Sequence, residues 1–180
     1  MAHQRKLIRD AIVSRLIQAG TMAERRVFGS RAVALQPKEL PAILVYTKNE
    51  QVEKSAEAPR EFKRTVTVSI ELVAQSDREE TLDDALDDFC EQVEKAVFSD
   101  QYFDSLVSDC FLGDTEIEIL SDGEKPIGAA KINLLMHYFQ RLPGDLTGEL
   151  DDFLSMGTKV DLPEADGTFE NNDLVDVPQV

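Results

Sequence analysis

Residues 62–75, FKRTVTVSIELVAQ, constrain this chain more than any other segment. Val66, Val68, Ile70, Leu72 and Ala74 fall on one side of an extended backbone, with Thr65, Thr67, Ser69 and Glu71 on the other. A period of two sustained over this length excludes a helix and demands a strand with one face buried and one wet. Its span, roughly 40 Å at the rise of a strand, carries the edge of a sheet beyond any core it covers. Partners are present. Residues 40–47, LPAILVYT, are apolar at nearly every position and form the clearest buried strand. Residues 115–120 alternate Ile117 and Ile119 against Glu116 and Glu118. Asp122-Gly123 then signals a hairpin turn. Residues 127–140 return with Ile132, Leu134, Met136 and Tyr138 on one face, and a mixed face of Lys131, Asn133, Leu135, His137 and Phe139. Short strands are expected at 26–28 and 31–35, around a Gly29-Ser30 turn.

Two helices accompany these strands. In residues 4–19, Ile8, Ala11, Ile12, Arg15, Leu16 and Ala19 recur at three- and four-residue spacing, with Gly20 as the stop. In residues 81–98, Leu82, Leu86, Phe89, Val93 and Val97 form one stripe, and Asp83, Asp84, Asp87, Asp88, Glu91 and Glu94 cover the other side. Thr81 is the expected N-cap. Residues 100–107 fit neither pattern. Residues 48–61, KNEQVEKSAEAPRE, have almost no large apolar side chain and read as a long exposed loop, a length that is often functional. After Pro143-Gly144 regular patterning ends. The reading is an α+β fold: an antiparallel or mixed twisted sheet, two amphipathic helices packed on one face, and an extended acidic C-terminal tail. The domain spans 1–141 and the tail 142–180, with Phe153, Leu154, Met156 and Phe169 as its few anchor points.

Charge narrows the function classes. The chain has 19 bases against 35 acids, a net −16, which argues against a general affinity for nucleic acid. Residues 1–70 carry thirteen bases and seven acids, residues 71–141 five and eighteen, and residues 142–180 one and ten. Blocks of opposite sign suit head-to-tail contact between copies. No run is apolar and long enough to span a bilayer, and the opening residues give no expectation of a secretory signal or anchor. The two cysteines, Cys90 and Cys110, are too few for a disulfide framework or a zinc site.

No catalytic constellation appears, and no enzyme, metal or cofactor is expected. His3 is terminal, and His137 sits on a strand beside Leu135 and Phe139, which favours a structural role. Carboxylates around Cys90 raise its pKa rather than activate it, and Cys110 lacks a basic neighbour. The Asp83-Asp84-x-x-Asp87-Asp88 pattern shares a helix face, but no histidine supports a metal and the spacing is not that of a calcium loop.

From Arg5 to Arg141 the chain resembles the tail terminator proteins of long-tailed bacteriophages, the lambda-type minor tail protein U family. The resemblance is carried by RKLIRDAIVSRL, RVFGSRAVAL, LPAILVYTKNE, REFKRTVTVSIELVA and LDDALDDFCEQVEKAV in that order, with a two-strand finish. It implies a hexameric ring that caps the tail tube, stops its polymerisation and offers its other face to the head–tail connector or head-closure protein. It implies a lumen through which DNA passes without specific binding, a place in the neck of the virion and, during assembly, in the host cytoplasm. The tube contact implied is the polar segment after the central strand, with Lys48, Asn49, Glu50, Lys54 and Arg60 as its candidates. Charge pairing between copies nominates Arg25, Arg26 and Arg31 against Asp84, Asp87 and Asp88. The acidic stretch after Arg141 has no counterpart in the short members. Alternatives are another neck ring subunit, such as a head-closure or tail-completion protein, and a monomeric acidic adaptor.

Overall fold

The computed structural model describes residues 3–57, 60–76, 80–120, 125–141, 155–160 and 171–176. Helix α1, Gln4–Ala19, buries Ile8, Ile12 and Leu16. The His3 ring accepts a hydrogen bond from the Arg5 backbone N–H, and Gly20 ends the helix in the left-handed conformation, φ 64°. Strand β1, Val27–Gly29, follows, and then β2, Ala42–Glu57, and β3, Arg60–Gln75. Helix α2, Glu80–Val97, leads to β4, Asp109–Leu120, and β5, Ile127–Arg141. These five strands form one mixed sheet in the order β1-β2-β3-β5-β4, with only β1 and β2 parallel.

Both helices lie on one face of that sheet. The inward residues of β3, from Val66 to Ala74, meet Ala130, Ile132, Leu134 and Met136 of β5 and the stripe Leu82, Leu86, Phe89, Val93 and Val97 of α2 in a single core. α1 packs against β1 and β2, and α2 against β3 and β5. The approach of α2 is close: a Cβ on Gly128 would lie 2.6 Å from a terminal methyl of Leu86. The alternation of residues 62–75, the period of residues 4–19 and the stripe of α2 are therefore all core signals. The wet face expected on β3 exists, although Ser69 on it is buried and donates to the Asn133 side chain at 2.7 Å.

Several expectations change. Of residues 48–61, expected as a loop, 48–57 and 60–61 are strand, and 58–59 lie outside the described residues. β2 runs on to Glu57 and pairs antiparallel with β3 as far as Glu57↔Arg60, with register shifts at Thr47/Asn49 and Lys54/Ala56. Beyond Glu50 this part of the ribbon has neither face in the core, so composition alone gives no strand signal, while the backbone ladder still satisfies its polar groups. Residues 31–35 form no strand. The Arg31 side chain donates to the carbonyls of Val33 at 3.0 Å and Ala34 at 3.5 Å, which takes these groups out of any ladder. β2 starts at Ala42, after a cis Leu40–Pro41 peptide. Thr81 lies inside the first turn of α2 rather than at its cap, with its hydroxyl 2.7 Å from that of Ser76. The unassigned stretch after α2 is a run of turns in which Phe103, Asp104 and Ser105 all have positive φ. Asp100 accepts from the backbone N–H of Tyr102 and Asp104, and Arg15 bonds Asp100 and lies 3.8 Å over the Phe103 ring. The turn expected at Asp122-Gly123 lies outside the described residues.

The chain divides into two compact units, Met1–Pro143 and Gly144–Val180. In the second, where the sequence reads as an extended tail, β6, Ser155–Val160, pairs antiparallel with β7, Asn171–Asp176. Of the expected anchors, Phe153, Leu154 and Phe169 lie outside the described residues, and Met156 lies in β6.

Candidate assembly interface

Beyond the last core residues β2 and β3 project as a largely polar arm, accompanied by β5 as far as Glu61↔Arg141. Lys48 sits at the bulge, exposed, 3.3 Å from the Glu71 carboxylate and 4.3 Å over the Tyr46 ring. Asn49, Lys54 and Arg60 are exposed along the arm, and Lys54 pairs with Glu57. Four of the five residues nominated for tube contact therefore face solvent, on strands and not on a loop.

Glu50 is different. The register sets it opposite Val66, on the side covered by the helices, and only 9% of its side chain is exposed. Its carboxylate accepts from the Tyr138 hydroxyl at 2.5 Å and from Arg64 at 3.0 Å, and lies 3.7 Å from Arg5 of α1. Burial and then the bond to Glu50 push the Tyr138 phenol up to about 12, so it stays protonated and donates at neutral pH. Glu50, Arg64, Tyr138 and Arg5 thus fasten the base of the arm to the first helix. Sequence reasoning missed this group. The signal was Arg64 itself: a base at an inward position of an alternating strand requires a buried acid.

The flanks carry opposite charge. Segment 4–39, comprising α1, β1 and the turns around them, has eight bases and three acids. α2 and β4 together have one base and eleven acids. Sheet order puts β1, beside the basic segment, at one edge and β4, with four acids and no base, at the other, while α2 lies over β3 and β5 between them and touches α1. Arg25 is exposed. Arg26 is largely engaged within its own chain, donating to the Pro41 carbonyl at 2.8 Å and pairing with Glu24 at 3.5 Å. Arg31 holds the Glu39 carboxylate with two guanidinium nitrogens, at 2.8 and 3.0 Å. Asp84, Asp87 and Asp88 are exposed on α2. Among the described residues, Arg26 and Arg31 pair with Glu24 and Glu39 rather than with the nominated acids of α2.

The thiols of Cys90 and Cys110 are buried and pushed up to about 11, by burial first and by neighbouring carboxylates second. Burial, and then the charge of Lys63, lower the pKa of His137, whose ring rests 5.2 Å from that of Phe111. Among the described residues, no group of three or more His, Cys, Asp or Glu is placed to hold a metal ion, and no helix is long and apolar enough to cross a membrane. The surface features that remain are an arm, two charged flanks and exposed apolar side chains, which are the materials of an interface.

A family model described as phage minor tail protein U matches residues 3–118, from α1 into β4. No curated protein matches the chain.

Proposed function

The chain belongs to the phage minor tail protein U family, and from that premise we propose that it is a tail terminator. Family membership makes it a structural protein of the phage tail and a component of the virion. The finer reading is that six copies close into a ring on the end of the tail tube, stop its polymerisation and offer the opposite face to the head–tail connector. The observation that carries this reading is the charge of the two flanks. A basic edge and an acidic edge on opposite sides of one sheet are the halves of a heterologous contact, and a heterologous contact repeated at a fixed angle closes a ring. The count of six comes from the family resemblance, not from the geometry.

The projecting arm supports a tube contact. Its β2 strand is exposed from Gln51 to Glu57, mostly polar but with Val52 open to solvent, so a partner can meet it without disturbing the core. The net charge of −16 suits a lumen that lets DNA slide past without holding it. Assembly belongs to the host cytoplasm, before the tail meets the head. Adding purified chain to polymerising tail tube protein tests the reading. The expected result is arrest of elongation at one ring per tube end, seen by electron microscopy as a cap on the tube. Tubes that elongate to the same length with and without the chain would overturn it.

A further inference from the structure

The segment between β1 and β2 is a rigid mount for an apolar tip. The Arg31 guanidinium bonds Glu39, Val33 and Ala34 and stacks 4.6 Å over the Phe28 ring. The Tyr46 hydroxyl donates to the Arg31 carbonyl at 2.7 Å, and the Gln36 backbone N–H donates to Glu39 at 2.8 Å. This set of bonds holds up a tip, Ala32-Val33-Ala34, whose three residues are all exposed. Val33 is 71% exposed, the most of any large hydrophobic side chain among the described residues. An ordered loop with an unburied apolar tip has already met the ordering cost that a binding loop otherwise meets on association. An exposed base, Lys38, follows the tip beside the Glu39 that Arg31 holds.

The far edge of the sheet carries the complement. Phe111 of β4 and Leu135 of β5 are register partners, 46% and 36% exposed, on the face away from the helices. The His137 ring lies against Phe111, and exposed Phe139 continues the row along β5. The rim here is acidic: Asp114, Glu116 and Glu118 are exposed on β4. Tip and patch sit at the β1 and β4 edges, four strand spacings or roughly 19 Å apart.

We propose that the Val33 tip of one copy seats on the Phe111–Leu135 patch of the next copy. Apolar meets apolar, the basic rim meets the acidic rim, and because both halves lie on opposite edges of one chain the contact propagates head to tail. This rests on the ring reading above and names the residues that make its subunit contact.

The test uses the full chain carrying Val33→Cys, Leu135→Cys or both, oxidised at concentrations where sedimentation velocity detects self-association. Buried Cys90 and Cys110 leave the background low. The expected result is a covalent ladder from the double variant, a single cross-linked dimer from mixing the two single variants, and no ladder from either alone. In parallel, Val33→Asp weakens self-association at least about tenfold, the least that burying a valine is worth, while its circular dichroism stays that of the parent. Self-association without the ladder, or unchanged in Val33→Asp, overturns this contact and leaves the terminator reading standing. A Val33→Cys dimer formed alone overturns the head-to-tail pairing. A chain that stays monomeric at all concentrations also counts against the contact, and the terminator reading is then decided separately by its effect on tube length.

Discussion

Glu50 illustrates how one carboxylate ties a projecting element to a core. With its side chain 9% exposed and bonded to Tyr138 and Arg64, its removal leaves a guanidinium largely buried without its counter-charge. Glu50→Ala should cost about 3 kcal/mol by urea unfolding. Tyr138→Phe, which removes one bond to a charged group, should cost about 1.5 kcal/mol. A Glu50→Ala chain as stable as the parent would show that the group does not fasten the arm. The two thiols give a second prediction. Their pKa is raised from 9.0 to about 11 in the fold. A raised folded pKa means stability that is present below the unfolded value and is lost as pH rises through the folded one. Stability should therefore fall between pH 9 and about 11, and Ellman's reagent at pH 8 should label both thiols only as fast as the chain opens. Rapid labelling of the native chain would contradict their burial.

At the scale of elements, the arm is separable from the core. Between Gln51 and Glu57 and at Arg60 every described residue is exposed, and the core lies between the helices and the inner halves of β3 and β5. Replacing residues 54–62 with Asn-Gly, which joins Glu53 to its register partner Lys63 and spares Glu50 and Arg64, should leave unfolding unchanged within about 0.5 kcal/mol. The proposed tube contact predicts that tails assembled with this variant are overlong; tails of parental length would remove the arm from that contact. The same element marks the limit of sequence reading. Val66 to Ala74 declare a strand because burial on one face imposes a period of two. Gln51 to Glu57 are equally a strand but bury neither face, so no period is imposed and the composition reads as loop. Residues 31–35 mislead in the opposite sense: β-forming residues whose carbonyls an arginine removes from any ladder. Arg25, Arg26 and Arg31 were legible as a basic group, but that Arg26 and Arg31 hold their own chain together depends on contacts across the fold, with Pro41 and Glu39.

For the whole molecule, block charge in the sequence becomes edge charge in the fold. The basic segment ends beside β1 and the acidic strand β4 at the opposite edge of one sheet, which is the condition for copies to meet head to tail. Arg25 and Lys38 are the exposed bases to test, because reversing Arg26 or Arg31 would damage the fold as well as the surface. Arg25→Glu with Lys38→Glu should weaken self-association and flatten its dependence on salt; association as strong and as salt-sensitive as in the parent would take charge pairing out of the account. The central claim is that this protein ends the tail tube. Tail length, measured by electron microscopy on particles assembled with and without the chain, tests it most directly. The account predicts tails of one length carrying a six-fold ring at the end when the chain is present, and overlong tubes with bare ends when it is absent. Tails of the same uniform length in both would contradict it.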